Sequence, residues 1–281
     1  MMRTWLITGA NRGLGWHIAN AAIAAGDNVI VTGRNLEKIT EAFSGYDAKK
    51  VVTLALDIAE EDQIRNVVQS AVAIFGKIDI LVNNAGYGQL GPFENNSPAD
   101  IDNQFSTNVF GMFNMCRAVL PIMRKETHGH IFNIASIAGL VGMPGASVYC
   151  ASKFAVVGFS ESLAQEVADF DIKVTVVSPG SFRTDFLDAS SAHFGSADIP
   201  EYAEFSRKIR DSSERNNHAQ QGDPAKLGSV IEQLALDPQA PTHFVVGSDA
   251  VQIASDRLNS RKLELEAWRE LATSTDTPNQ G

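Results

Sequence analysis

Short apolar runs alternate along this chain with longer stretches in which apolar positions recur every three or four residues. The runs at 3–8, 28–32, 51–56, 78–82, 130–135, 173–178 and 243–246 have strand length and are apolar almost throughout, as expected of strands buried on both faces. The periodic stretches at 13–25, 36–43, 62–75, 100–124 and 146–170 predict helices. Strands and helices taking turns over short connections predict a parallel sheet, because each parallel crossover needs a helix. The expected fold is α/β: a doubly wound, seven-stranded parallel sheet with helices on both faces. One stretch breaks the rhythm. Residues 181–221 are long, polar in places and without a strand pattern, which predicts a loop over a binding site. A last helical pattern follows at 249–271 and a polar tail at 273–281, expected to be flexible. The pattern reads as one domain, 1–272, with 181–221 as its substrate loop and 249–272 as its C-terminal helix.

Composition narrows the class. With 44% hydrophobic and 20% charged residues among 281, the chain reads as globular. Its net charge of −10 and pI near 5.1 argue against a nucleic acid or an anionic membrane as the main partner. No run is apolar for the ~18 residues a membrane span needs. The first strand begins almost at once after Met1, leaving no room for a secretory leader, so a cytoplasmic protein is expected. The two cysteines, Cys116 and Cys150, lie in apolar helical patterns and suit buried free thiols. His128 and His130 flank Gly129 at the entry to a strand, so no metal site is expected.

The first strand leads into Thr8-Gly9-Ala10-Asn11-Arg12-Gly13-Leu14-Gly15 and then a helix. Backbone N–H groups and the helix dipole at such a strand-turn-helix attract a pyrophosphate, which predicts a dinucleotide site of Rossmann type. An acidic residue at the end of the second strand would hold a ribose 2′-hydroxyl. Here the chain reads Thr32-Gly33-Arg34-Asn35 instead. Arg34, with Arg12 in the turn, suits a 2′-phosphate through charge-assisted bonds, so NADP(H) is expected over NAD.

Tyr149 and Lys153 stand four apart on a predicted helix and share a face. A cation ~5 Å from a phenol stabilises the phenolate by ~3 kcal/mol at an effective dielectric of ~20, roughly two pKa units. That would bring the tyrosine close enough to neutrality to exchange a proton with a substrate oxygen. The pair alone is a weak motif.

Together, Thr8 to Gly15, Asp57, Asn83-Asn84-Ala85-Gly86, Asn108, Ser136, Tyr149, Lys153 and Pro179-Gly180 resemble the short-chain dehydrogenase/reductase family, in its shorter, non-extended branch. The resemblance covers about residues 3–248. It implies that Tyr149 is the general acid/base and that Ser136 steadies charge on the carbonyl oxygen. Lys153 would tune the tyrosine and bind the nicotinamide ribose. Asn108 would kink its helix and support a proton relay. Cofactor contacts are implied from Gly9, Asn11, Arg12, Gly13, Leu14 and Gly15 in the turn, and from Arg34. Asp57 and Ile58 would meet the adenine, and Asn84, Ala85 and Gly86 would line the channel. Pro179, Gly180, Phe182 and Thr184 would lie near the nicotinamide and phosphates. The expected activity is NADP-dependent interconversion of a carbonyl and an alcohol, as in a carbonyl reductase. The alternative is a sensor or regulator that binds NADP(H) on the same fold without catalysis; retention of Ser136, Tyr149, Lys153 and Asn108 argues against it.

Three segments are expected to select a hydrophobic small-molecule substrate. They offer Tyr87, Leu90 and Phe93; Ile137, Leu140, Val141 and Met143; and Phe182, Phe186, Leu187, Phe194, Tyr202 and Phe205. No cluster of arginines is expected there to hold a phosphorylated or acyl-carrier substrate, although Arg183 suits one carboxylate. The C-terminal pattern from Thr242 to Ala250 resembles uncharacterised members near the 17β-hydroxysteroid dehydrogenases. The family also implies a homodimer or homotetramer through the helices carrying Asn108 and Tyr149, with the C-terminal helix placed to cover a tetramer face.

Overall fold

The computed structural model describes residues 2–277. Its core is one parallel sheet of seven strands: β1 (Thr4–Ile7), β2 (Asn28–Gly33), β3 (Val51–Ala55), β4 (Ile80–Asn83), β6 (Gly129–Ile134), β7 (Ile172–Pro179) and β9 (His243–Val246). Their order is β3-β2-β1-β4-β6-β7-β9, and every neighbouring pair is parallel, as the alternating pattern predicts. The order in which successive strands are added reverses between β1 and β4. Helices α1 (Gly13–Ala24) and α8 (Pro224–Leu236) cover one face. Helices α3 (Glu61–Phe75), α5 (Met112–Glu126) and α6 (Ser147–Glu166) cover the other, and α2 (Leu36–Ala42) flanks β2 and β3. Trp5, Leu6, Ile7, Ile30, Leu81 and Phe132 are fully buried between these layers, which is why the strands read as unbroken apolar runs.

The long helix expected at 100–124 is divided. α4 (Pro98–Phe105) begins at a capping box in which Ser97 accepts from the Asp100 backbone N–H and the Asp100 carboxylate answers the Ser97 N–H. A wide π-type turn then spans Ser106–Gly111 and hands over to α5. Asn108 lies in that turn, where the helix is widened by one residue. Gly111 lets the turn lie close to Ile58, because a Cβ there would stand 2.7 Å from the Ile58 carbonyl oxygen.

The loop at 181–221 contains structure that its sequence pattern did not reveal. β8 (Ala192–Phe194) pairs in parallel with β5 (Gly88–Leu90), and α7 (Ala203–Asn216) follows. Three residues are too few for a readable alternation, and the pairing partner is a hundred residues away. The C-terminal pattern is also broken: α9 (Ser248–Ala267) stops at Trp268 and α10 (Arg269–Thr273) resumes. The helical pattern therefore runs one residue into the expected tail; 278–281 lie outside the described residues.

Candidate active site

At the carboxyl ends of the strands, beside the reversal between β1 and β4, opens a cleft of about 710 Å³. Its floor is the glycine turn. Gly9 and Gly13 adopt φ of 63° and 58°, which a side chain would strain. A Cβ at Gly9 would meet the Ala85 backbone at 2.8 Å, so the turn is pressed against the Asn-Asn-Ala-Gly segment. Asn84 locks the two together. Its Nδ2 donates to the Thr8 and Gly9 carbonyls, each at 2.9 Å, and its backbone N–H reaches the Thr8 hydroxyl at 3.0 Å. The start of α1 has no side-chain cap, so its leading N–H groups are available to an anion.

Most of the sequence-predicted cofactor residues line this cleft. Asn11, Arg12, Gly13 and Leu14 form its floor, and Arg34, Asp57 and Ile58 stand at one end. Ala85, Gly86, Pro179, Gly180, Phe182 and Thr184 form the walls. Gly15 and Asn108 sit behind the lining: a Cβ at Gly15 would strike Asn84, and Asn108 is buried beneath Tyr87. The two arginines do not converge. Arg34 is exposed at the lip, whereas Arg12 reaches across to the loop and donates to the Ser190 and Ser191 hydroxyls at 2.6 Å each. No carboxylate stands at the end of β2, and the Asn35 side chain is occupied in capping α2.

The opposite end of the cleft holds Ser136, Tyr149 and Lys153. Ser136 ends the segment after β6 in extended conformation and accepts from the Ala138 N–H at 3.1 Å, so it caps a turn while facing the cleft. Lys153 is buried and its Nζ donates to the Ile134 carbonyl at 2.8 Å, 5.8 Å from the centre of the Tyr149 ring. Burial pushes the Lys153 ammonium down to about 8. Burial likewise pushes the Tyr149 phenol up to about 12, against the pull of the Ser136 hydroxyl. Desolvation of the tyrosine thus sets the direction of its shift, opposite to the one that the Tyr149–Lys153 spacing suggested. Asn108 accepts from the Tyr87 N–H at 3.1 Å, and its Nδ2 donates to the Tyr87 carbonyl at 2.9 Å and the Ser152 hydroxyl at 3.3 Å. Ser152 in turn donates to the Tyr149 carbonyl at 2.7 Å, tying the π-type turn to the helix of the tyrosine.

The expected substrate lining is only partly realised. Tyr87, Leu90, Ile137, Met143, Phe182, Phe186 and Leu187 do line the cleft, and Phe186 leans on Tyr149 with ring centres 5.6 Å apart. Leu140 and Val141 instead pack beside Ala250 and Ala254 of α9. Phe93 is solvent-exposed, Tyr202 bonds Glu94, and Phe194 lies under Arg210. Phe205 is not among the lining residues. Arg183 does not line this cleft: its Nε donates to the Gln220 carbonyl at 3.2 Å, and it borders an adjoining pocket with Asn11, Arg12 and Gly13.

Sequence reasoning missed His193, which faces Tyr87 at 4.8 Å across the β5–β8 pairing, and Gln220 on the wall. It also missed Asp249, whose carboxylate accepts from the Ser181 N–H at 2.7 Å and fills the space where Gly180 lacks a Cβ. His130 is a core residue, bonded to the Thr175 hydroxyl at 2.9 Å and pushed down to about 3 by burial. Asp185, Asp188 and His218 place ligand-type atoms within 4.8 Å of one another, but Asp188 already accepts from Asn217.

The sequence profile of the short chain dehydrogenases matches residues 3–194, so this chain belongs to the short-chain dehydrogenase family of oxidoreductases. Oxidoreductase BOA17 of Botryotinia fuckeliana is 36% identical over 275 residues, covering 98% of this chain and 100% of that protein. The 3-ketodihydrosphingosine reductase of Bacteroides thetaiotaomicron is 38% identical over 245 residues, covering 86% and 87%. Among solved structures, a short-chain dehydrogenase from Streptomyces avermitilis superposes with a TM-score of 0.91 at 37% identity, over 99% of this chain and 100% of that one. ElxO with NADP bound superposes at 0.74 with 28% identity, over 90% and 100%. A family member from Burkholderia phymatum, in complex with NAD, shares the fold at 0.82 with 22% identity, over 94% and 95%. Among the described residues no helix is long and apolar enough to cross a membrane.

Proposed function

We propose that the protein is an NADP(H)-dependent oxidoreductase that interconverts a carbonyl and an alcohol on a hydrophobic small molecule. The observation that carries the reading is the meeting of Ser136, Tyr149 and Lys153 at one end of a cleft whose floor is an uncapped helix start behind a glycine turn. The residues fit a dinucleotide: the turn leaves no room for side chains at Gly9 or Gly15, and bare N–H groups stand ready for phosphate oxygens. Bound there, the nicotinamide would supply or accept the hydride. Tyr149 would hold the proton that passes to or from the substrate oxygen, and a phenol pushed up to about 12 keeps that proton at neutral pH. Ser136 would donate a hydrogen bond to the same oxygen as charge develops on it. Lys153, held on the Ile134 carbonyl, would bind ribose hydroxyls, and the Asn108–Ser152 pairing would keep the tyrosine helix in register.

Arg34 at the lip and the missing carboxylate after β2 favour the 2′-phosphate, as does the NADP bound to ElxO. Leu90, Ile137, Met143, Phe186 and Leu187 favour an apolar substrate, and the keto-reductase name of the Bacteroides relative points the same way. The test is loss of reduced-cofactor absorbance over a panel of ketones and aldehydes, with NADPH and NADH in parallel. Turnover with NADPH that collapses in Tyr149→Phe, and that shifts toward NADH in Arg34→Ala, supports the reading. Nucleotide binding without turnover on any carbonyl would instead favour the sensor. We also read the protein as a cytoplasmic homodimer or homotetramer. Its cysteines are free and buried, and Phe110 lies exposed beside the stacked Phe113 and Phe159 on the helices of Asn108 and Tyr149. Light scattering that reports a monomer would remove the assembly from that reading, and cell fractionation tests the compartment.

A further inference from the structure

Four side chains among the described residues are at least nine-tenths buried and still carry a polar atom without a hydrogen-bond partner: Thr4, Asn83, Asn95 and Gln220. Only Gln220 lines the cleft. Its Oε1 is unpaired at 8% exposure, while its backbone carbonyl is engaged by the Arg183 guanidinium. Buried acceptors are almost always satisfied, so an orphan on the wall of a binding cleft marks a place for a ligand donor. The last torsion of a glutamine is soft and roughly two-fold, so Oε1 can turn toward the cleft without moving the backbone.

The neighbourhood identifies the donor. Residues 220–222 run beside 181–183: the Gly222 N–H donates to the Ser181 carbonyl and the Arg183 N–H to the Gly222 carbonyl, each at 2.9 Å. Gln220 therefore belongs to the strap that follows Pro179-Gly180. An unpaired carbonyl oxygen needs an N–H or O–H, which phosphate oxygens lack. The donors of a dinucleotide are the adenine amine, the ribose hydroxyls and the nicotinamide carboxamide. On the dinucleotide reading the adenine amine and its ribose belong at the far end with Asp57 and Arg34, and the nearer ribose belongs with Lys153. We propose that Gln220 is a cofactor-binding residue whose carboxamide pairs with the carboxamide of the nicotinamide, an inference that rests on the dinucleotide reading above.

The test is calorimetric binding of NADP+ and of its 3-acetylpyridine analogue, a methyl ketone with no N–H, to wild type and to Gln220→Met. Wild type is expected to prefer the carboxamide form. Gln220→Met should weaken NADP+ binding by about fivefold, the worth of one neutral hydrogen bond, and should erase the preference. Without nucleotide the variant should melt at the wild-type temperature or above, because it removes an unsatisfied buried atom. Equal discrimination in both proteins overturns the proposal. So does a rise in the KM for the carbonyl substrate with NADP+ binding unmoved, which would make Gln220 a substrate contact. Failure of wild type to bind either dinucleotide fells the underlying reading together with this one; binding without discrimination fells this one alone.

Discussion

Lys153 and Tyr149 shift in opposite directions from their ordinary values, and together they set a pH optimum for stability. The folded value of Lys153, about 8, lies below its unfolded 10.5, so between these the unfolded chain holds more protons and stability rises with pH. Tyr149 is the reverse: from 10.0 to about 12 the folded chain holds more protons, and stability falls with pH. The full lysine window amounts to about 3 kcal/mol, of which about 2 kcal/mol accrues between pH 8 and 10. At this chain length that is roughly 3 °C in melting temperature. The assay is thermal melting without nucleotide from pH 7.5 to 11, comparing wild type with Lys153→Met and Tyr149→Phe. Difference curves cancel the titration of every other group. Wild type should gain on Lys153→Met up to pH 10, then lose on Tyr149→Phe. Wild-type and Lys153→Met curves that stay parallel from pH 8 to 10 would refute the reasoning, because burial would then not govern the acidity of Lys153.

Other expectations follow from single contacts. Asn84→Ala strips two carbonyls of the glycine turn of their donor and should cost about 2 kcal/mol, read as a lower urea midpoint at unchanged slope. Asp249→Ala removes a charged acceptor from the Ser181 N–H and should weaken dinucleotide binding about tenfold, whereas Asp249→Asn should keep part of it. Phe186→Ala opens the cleft beside Tyr149 and should move kcat/KM about tenfold in favour of bulky over small ketones; an unchanged ratio would remove Phe186 from the substrate wall.

The parallel sheet was legible because strands buried on both faces must be apolar throughout, and the Tyr149–Lys153 pair because the two share one helix face, whereas Ser136 and Asn108 were singled out only by the family resemblance. The Arg12 expectation shows the limit. Sequence placed it at the phosphate turn, and it is there, but its side chain is long enough to reach Ser190 and Ser191 instead. The Tyr149 acidity misled for a different reason: spacing reveals the cation but not the desolvation that opposes it. β8 was invisible because three residues carry no period, and Phe93, Phe194 and Phe205 were miscast because aromatic content cannot tell a cleft wall from a loop packed on itself. Gln220 and Asp249 had no local signal at all. Their meaning lies in what the fold brings beside them.

The carboxylate under Gly180 has a bearing on shortened copies of this gene product. Every side chain assigned to the chemistry precedes β7, and the family profile ends at residue 194. A chain cut after β9 would therefore pass any inspection for catalytic completeness. It would nonetheless lack the anion from α9 that seats the strap against the end of the sheet. The seating of the strap that carries Gly180 thus depends on a residue of α9, beyond every motif assigned to the chemistry, and an intact motif is a necessary but insufficient credential.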